Sequence, residues 1–335
     1  GALEAYSGIR LVTLGEGPAR GVRLLEVRSG GGLEFEIAID RGFDIGRLSI
    51  DGTTVSWHSP NGMRGPWLTQ AASDRGQGYL RQASGFLATC GFDHIRQPET
   101  DRLDAAPLYP YGEVDYPLHG HGTAQPARLI GHGIEESAES PCLWAEGEVI
   151  QSMTFLGALR LRRRITIPLG GTRFTIRDEV DNIGPFTSTH MMLYHFNAGY
   201  PLIDDGTTID PGSAREIWRG TEHDPLATFG PPLPEQNADL SIFAAVAKGR
   251  TACTLTNRQG MTLEIGYEPA ELPFLQLLRM GGRGLYGVGI EPCTTGVRSR
   301  QEARESGQMI MLEPGQTRTY GLDISLFRRP QADPT

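Results

Sequence analysis

Forty-four glycines and 23 prolines divide this 335-residue chain into short runs, and that punctuation limits its fold more than any other feature. Inside a helix each glycine costs roughly 1 kcal/mol and each proline about 3 kcal/mol relative to alanine, so long helices are disfavoured. Within the short runs, apolar residues recur with period two, the pattern of a strand with one face buried. Leu33, Phe35, Ile37 and Ile39 alternate with polar or small residues until Asp40-Arg41-Gly42 ends the run. Arg47 to Ile50 turns at Asp51-Gly52 and returns through Thr53 to Trp57, which reads as a hairpin. A longer hairpin puts Leu159, Leu161, Ile165 and Ile167 on one face, turns at Gly170-Gly171, and returns through Phe174, Ile176 and Val180. Arg160, Arg162 and Arg164 take its opposite face, which is expected to be wet.

Met309 to Leu312 and Thr319 to Phe327 flank Glu313-Pro314-Gly315 and read as another pair. Short helices are expected within Gly65 to Gln82 and Val297 to Glu305, and long loops over Asp101 to Tyr116 and Gly230 to Ala238. No repeat or low-complexity linker marks a boundary. The expected architecture is all-β: a large antiparallel β-sandwich with a few short helices, in one domain over residues 1–335.

A net charge of −9 argues against a nucleic-acid surface, which needs a basic patch. Cys90, Cys142, Cys253 and Cys293 form no CxxC pair and read as free thiols in a reducing compartment. Without an apolar run of membrane-spanning length or a charged, apolar leader, the chain reads as cytoplasmic. There is no GxxxxGK phosphate loop, GxGxxG turn or GxSxG elbow.

Three segments carry groups suited to moving a proton. In Leu193-Tyr194-His195-Phe196-Asn197 the histidine and asparagine share one face of a strand that breaks at Gly199 and Pro201. His190 points the other way and reads as structural. In Leu118-His119-Gly120-His121-Gly122 the two histidines are expected on one face, with glycines leaving room for a ligand. Glu291 ends the apolar run Tyr286-Gly287-Val288-Gly289-Ile290, where a carboxylate is costly unless paired or poised as a base. Asp40, Arg41, Asp44, Asp93 and Arg96 sit at strand ends, where arginine forks and carboxylates can bind vicinal hydroxyls or pin a corner as ion pairs. Trp57, Trp67 and Trp144 could stack on a sugar ring or simply pack.

These pieces resemble the aldose 1-epimerase (galactose mutarotase-like) superfamily, specifically a divergent bacterial branch of unknown sugar specificity. The similarity runs from about Leu33 to Phe327 and rests on six segments. They are Asp40-Arg41-Gly42-Phe43-Asp44-Ile45-Gly46, Thr89-Cys90-Gly91-Phe92-Asp93, Leu118-His119-Gly120, Tyr194-His195-Phe196-Asn197, Gly289-Ile290-Glu291-Pro292 and Leu312-Glu313-Pro314-Gly315. The resemblance implies Glu291 as general base, His195 as general acid with His119 as its rival, and sugar contacts from Arg41, Asp44, Asp93, Arg96, His121, Asn197 and Gln276. Either Arg96 or Arg41 would be the sugar-binding arginine. The implied reaction interconverts sugar anomers and needs no metal or organic cofactor. The implied partner is a monosaccharide or sugar derivative, with neither nucleic acid nor membrane, and sheet edges could pair two copies. Two other readings remain at this stage. One is a cupin-like, metal-dependent sugar isomerase using His119-Gly120-His121; the other is a non-catalytic carbohydrate-binding module.

Overall fold

The computed structural model describes residues 2–102, 109–136, 140–234 and 238–328. It is an antiparallel β-sandwich in which two large sheets face each other. The first has six strands in the spatial order Ala214–Arg219, Ala238–Ala245, Phe274–Met280, Gly287–Cys293, Leu193–Gly199 and Leu87–Cys90. The second has eight: Thr208–Asp210, Thr251–Thr256, Met261–Tyr267, Thr317–Arg328, Arg173–Asn182, Gly157–Pro168, Cys142–Met153 and Arg128–Glu135. A five-stranded sheet built from Gly8–Thr13 to Thr53–Thr54 packs alongside, with Phe35 stacked on Phe174 at 4.8 Å.

Alternation explains which face each strand buries. Tyr194, Phe196, Leu275, Leu277, Val288 and Ile290 of the six-stranded sheet enter the same core as Leu161, Ile165, Ile176, Leu322 and Ile324 of the eight-stranded one. His195, Gln276 and Glu291 therefore emerge on the other face of the six-stranded sheet. The Leu159–Val180 hairpin pairs in the expected register, Leu161 with Val180 and Ile165 with Ile176. Its pattern hides one exception: Arg163 falls on the apolar face and is fully buried. There it binds Asp178 through Nε (2.9 Å) and Nη2 (2.7 Å), and Asp44 through Nη1 (2.9 Å).

Three expectations are corrected. Ile310–Leu312 pairs with Ser188–His190 rather than with the last strand, which lies between Met261–Tyr267 and Arg173–Asn182. The Asp101–Tyr116 stretch contributes to a ribbon, Glu99–Arg102 against Glu113–Tyr116. Residues 103–108 lie outside the described residues, as do 235–237 of the other expected loop. The Gly65–Gln82 stretch holds only single turns, whereas Arg300–Glu305 is a helix closed by a capping box between Ser299 and Glu302. The four cysteines are unpaired. Among the described residues, no helix is long and apolar enough to cross a membrane.

Candidate active site

Three adjacent strands build the centre of the site. Glu291 pairs in register with Gln276 on one side, and the Leu193–Gly199 strand that carries His195 runs along the other. His195 Nε2 lies 3.2 Å from Glu291 Oε1. That contact is not a hydrogen bond, which leaves Oε1 without a partner, and His195 Nδ1, also buried, has none either. Gln276 Nε2 donates to Glu291 Oε2. Glu291 is completely buried, whereas His195 is 8 % exposed and forms the accessible edge of the pair. Burial pushes the Glu291 carboxyl up, opposed by His195, Arg96 and the Gln276 hydrogen bond. Gly289, between the two side chains, must be bare: a Cβ there would sit 2.6 Å from Glu291 Oε1 and 2.8 Å from His195 Cε1.

Arg96 braces this pair from behind. Its Nε donates to Gln276 Oε1 at 2.7 Å, and its terminal nitrogens donate to the carbonyls of Val297 and Thr295, each at 2.7 Å. Of the two candidate arginines, Arg96 therefore reaches the Gln276–Glu291 pair. Arg41 instead donates to the Ser84 carbonyl at 2.5 Å, in a buried position beside Asp44. His119 meets His195 edge to face at 5.6 Å and Tyr79 in the same way at 5.3 Å. Burial holds the His119 imidazole well below its usual range, with His195 adding to the effect. Asn197 shares the His195 face and donates to the His195 carbonyl at 3.0 Å.

The remaining residues expected at the site lie elsewhere. Asp44 is consumed by Arg163 and by the Thr89 backbone and hydroxyl, in the buried layer between the sheets. Its assignment to substrate binding is thereby corrected. His119 and His121 do not share a face, because the chain between them is a turn: His119 has φ +64° and Gly120 φ +85°. His121 turns away to Asp93, with Nδ1 2.7 Å from Oδ2. Burial lowers His121, but the Asp93 hydrogen bond and charge, together with a hydrogen bond to the Asp115 backbone, outweigh it and leave the imidazole raised. This divergence also removes the H-x-H metal site. Among the described residues no cluster of three or more His, Cys, Asp or Glu side chains is placed to hold a metal ion. Trp144 packs under Arg164 on the eight-stranded sheet, and Trp67 is mostly exposed. Trp57 packs against Gly199 and Gly287. His190 is structural, bonded to the Phe92 carbonyl and the Tyr320 hydroxyl at 2.7 Å each. Sequence reasoning missed Tyr79, which lies in an irregular segment with no periodic signal.

This architecture, with a histidine and a glutamate on the open face of the six-stranded sheet, places the chain in the galactose mutarotase-like β-sandwich fold. A structure from Klebsiella pneumoniae described as a "putative aldose 1-epimerase" matches with TM-score 0.83 and 21 % identity, over 96 % of this chain and 83 % of that one. A galactose mutarotase-like protein from Clostridium acetobutylicum matches with TM-score 0.65 and 14 % identity, over 96 % and 98 %. One from Lactobacillus casei matches with TM-score 0.56 and 14 % identity, over 91 % and 100 %. No curated protein matches. The chain belongs to the family described as Domain of unknown function (DUF4432), whose model matches residues 19–326.

Proposed function

We propose that this protein is an aldose 1-epimerase, interconverting the α and β anomers of a free sugar. The observation that carries this reading is the Glu291–His195 pair: a fully buried carboxylate with a raised pKa and an imidazole that keeps only 8 % exposure, 3.2 Å apart. Two titratable groups so placed suit a base and an acid acting on neighbouring oxygens of one hemiacetal. Glu291 takes the proton of the anomeric hydroxyl while His195 gives one to the ring oxygen. The C1–O5 bond breaks, leaving a neutral aldehyde and a hydroxyl; the C1–C2 bond rotates, and the ring recloses on the other face with the proton transfers reversed. His119, kept neutral by burial, can still donate an N–H to the sugar, and Gln276 and Arg96 hold the carboxylate in place.

The test is anomeric exchange measured by NMR on a panel of free sugars. Glu291→Gln is expected to slow exchange by roughly 10²–10⁴-fold while thermal unfolding stays near that of the wild type. Full activity in that variant would sink the assignment. A wild-type protein that binds a sugar without speeding its exchange would instead be a carbohydrate-binding module.

A further inference from the structure

The open face of the six-stranded sheet carries one row of side chains across four adjacent strands. Gln276 pairs with Glu291; Phe196 pairs with Ile290, which sets Glu291 beside His195; and His195 pairs with Ala88. Neighbouring strands lie about 4.8 Å apart, so the row runs in even steps from the carboxylate through the imidazole to a bare methyl group. The end of the row is completed from outside the sheet. Tyr79, in the single turn Gly78–Arg81, clusters with Ala88 and Leu118 and meets the His119 ring edge to face. It therefore stands past His195, on the side away from Glu291.

The Tyr79 ring is packed, but its hydroxyl is idle. The residue is only 7 % exposed, yet among the described residues nothing bonds the hydroxyl, which keeps access to solvent. A buried tyrosine normally finds a partner for its O–H. Burial first, then Cys90, raises the phenol far above its ordinary range, with Asp44 and Glu291 adding and Arg41 opposing, so it stays a neutral donor and acceptor. His119 beside it is set in the same way. Its Nδ1 accepts the Arg96 N–H at 3.4 Å, which leaves the ring proton on Nε2, where no described residue accepts it. An O–H fixed by packing and left without a protein partner suits one hydroxyl of a substrate, and the row says which. In a pyranose the ring oxygen lies between the anomeric carbon and C5, whose exocyclic CH2OH carries O6. With Glu291 at the anomeric hydroxyl and His195 at the ring oxygen, the next step along the row falls on the C5 substituent.

We propose that the Tyr79 hydroxyl bonds the exocyclic O6 hydroxyl of a hexopyranose, which makes Tyr79 a specificity-determining residue of the site. The assignment rests on the epimerase reading, because that reading orients the sugar along the row. The test is anomeric exchange followed by NMR for glucose against 6-deoxyglucose and galactose against 6-deoxygalactose, with the wild type and with Tyr79→Phe. The substitution keeps the ring and removes no protein hydrogen bond, so thermal unfolding should be unchanged. In at least one pair the wild type is expected to show a kcat/KM about three- to tenfold higher for the hydroxylated sugar, the worth of one neutral hydrogen bond. Tyr79→Phe should erase that preference by raising KM for the hydroxylated sugar, and leave the deoxy sugar where it was. An equal loss on both members of a pair, as a displaced His119 would give, overturns the proposal. So does a preference that survives the substitution, or a wild type with no preference in either pair; those outcomes leave the epimerase reading standing. If the wild type speeds exchange in neither pair, the epimerase reading falls and this assignment falls with it.

Discussion

Burial holds the Glu291 carboxyl above its ordinary range, and Gln276 works against that shift by donating to Oε2. A general base acts in its ionised form, so activity should rise as pH climbs through the Glu291 pKa. Gln276→Leu removes a bond that favours the carboxylate, which raises that pKa further. The acid limb of kcat/KM should then move to higher pH by about one unit, as a pH-rate profile would show. Gly289→Ala probes the same atoms sterically. Its methyl group would overlap both Glu291 Oε1 and His195 Cε1, so exchange should fall at least about tenfold, measured by NMR, while the strand pairing survives. Alternation along each strand made part of this group readable, because it decides that His195 and Asn197 share a face. Glu291 was readable as a carboxylate closing an apolar run. Asp44 was misread because its partner Arg163 is 119 residues away in sequence, and no local pattern reports so distant an ion pair.

The buried ion network is a property of strands rather than of single groups. Arg163 rises from the eight-stranded sheet and donates to the Thr89 hydroxyl of the six-stranded sheet at 2.8 Å, and Tyr194 reaches back to Asp178 at 2.6 Å. The tyrosine immediately before His195 thus fastens the histidine strand to the opposite sheet. Arg163→Met would leave Asp44 and Asp178 buried without their cation. Unfolding free energy from denaturant titration should drop by about 3–5 kcal/mol. The hairpins at Asp51-Gly52 and Gly170-Gly171 were legible because turn chemistry and period two are local. In the second hairpin the same period places residue 163 inward, yet an arginine there reads as a surface residue until its two aspartates are in view. The Ile310–Leu312 strand was misassigned for a related reason: the Glu313-Pro314-Gly315 turn suggested a local return, but the strand found its partner at Ser188–His190.

For the whole molecule, the cost of burying imidazoles sets the response to acid. Burial lowers His94 and His190 to about 4 each, and His119 well below its usual range. An unfolded histidine titrates near 6.5, so between about pH 6.5 and 4 the unfolded chain binds more protons than the folded one. The stability these neutral histidines contribute is complete above that window and is lost as pH falls through it. A melting temperature followed from pH 7 to pH 4.5 should decline, and His190→Gln should flatten the decline. Glycine and proline spacing made the all-β class legible, but the order of strands depends on pairings between distant segments, such as Thr317–Arg328 beside Arg173–Asn182. The turn at His119–Gly120 has a consequence for how such a chain can vary. The His119 carbonyl accepts from Gly91 at 2.8 Å and from Thr123 at 2.5 Å, and a Cβ at Gly120 would lie 2.5 Å from the Gly91 carbonyl. One short loop thus holds His119 against His195 and His121 against Asp93. Sequence drift that shifts this loop moves both histidines together, so neither contact can be retuned from this position without disturbing the other.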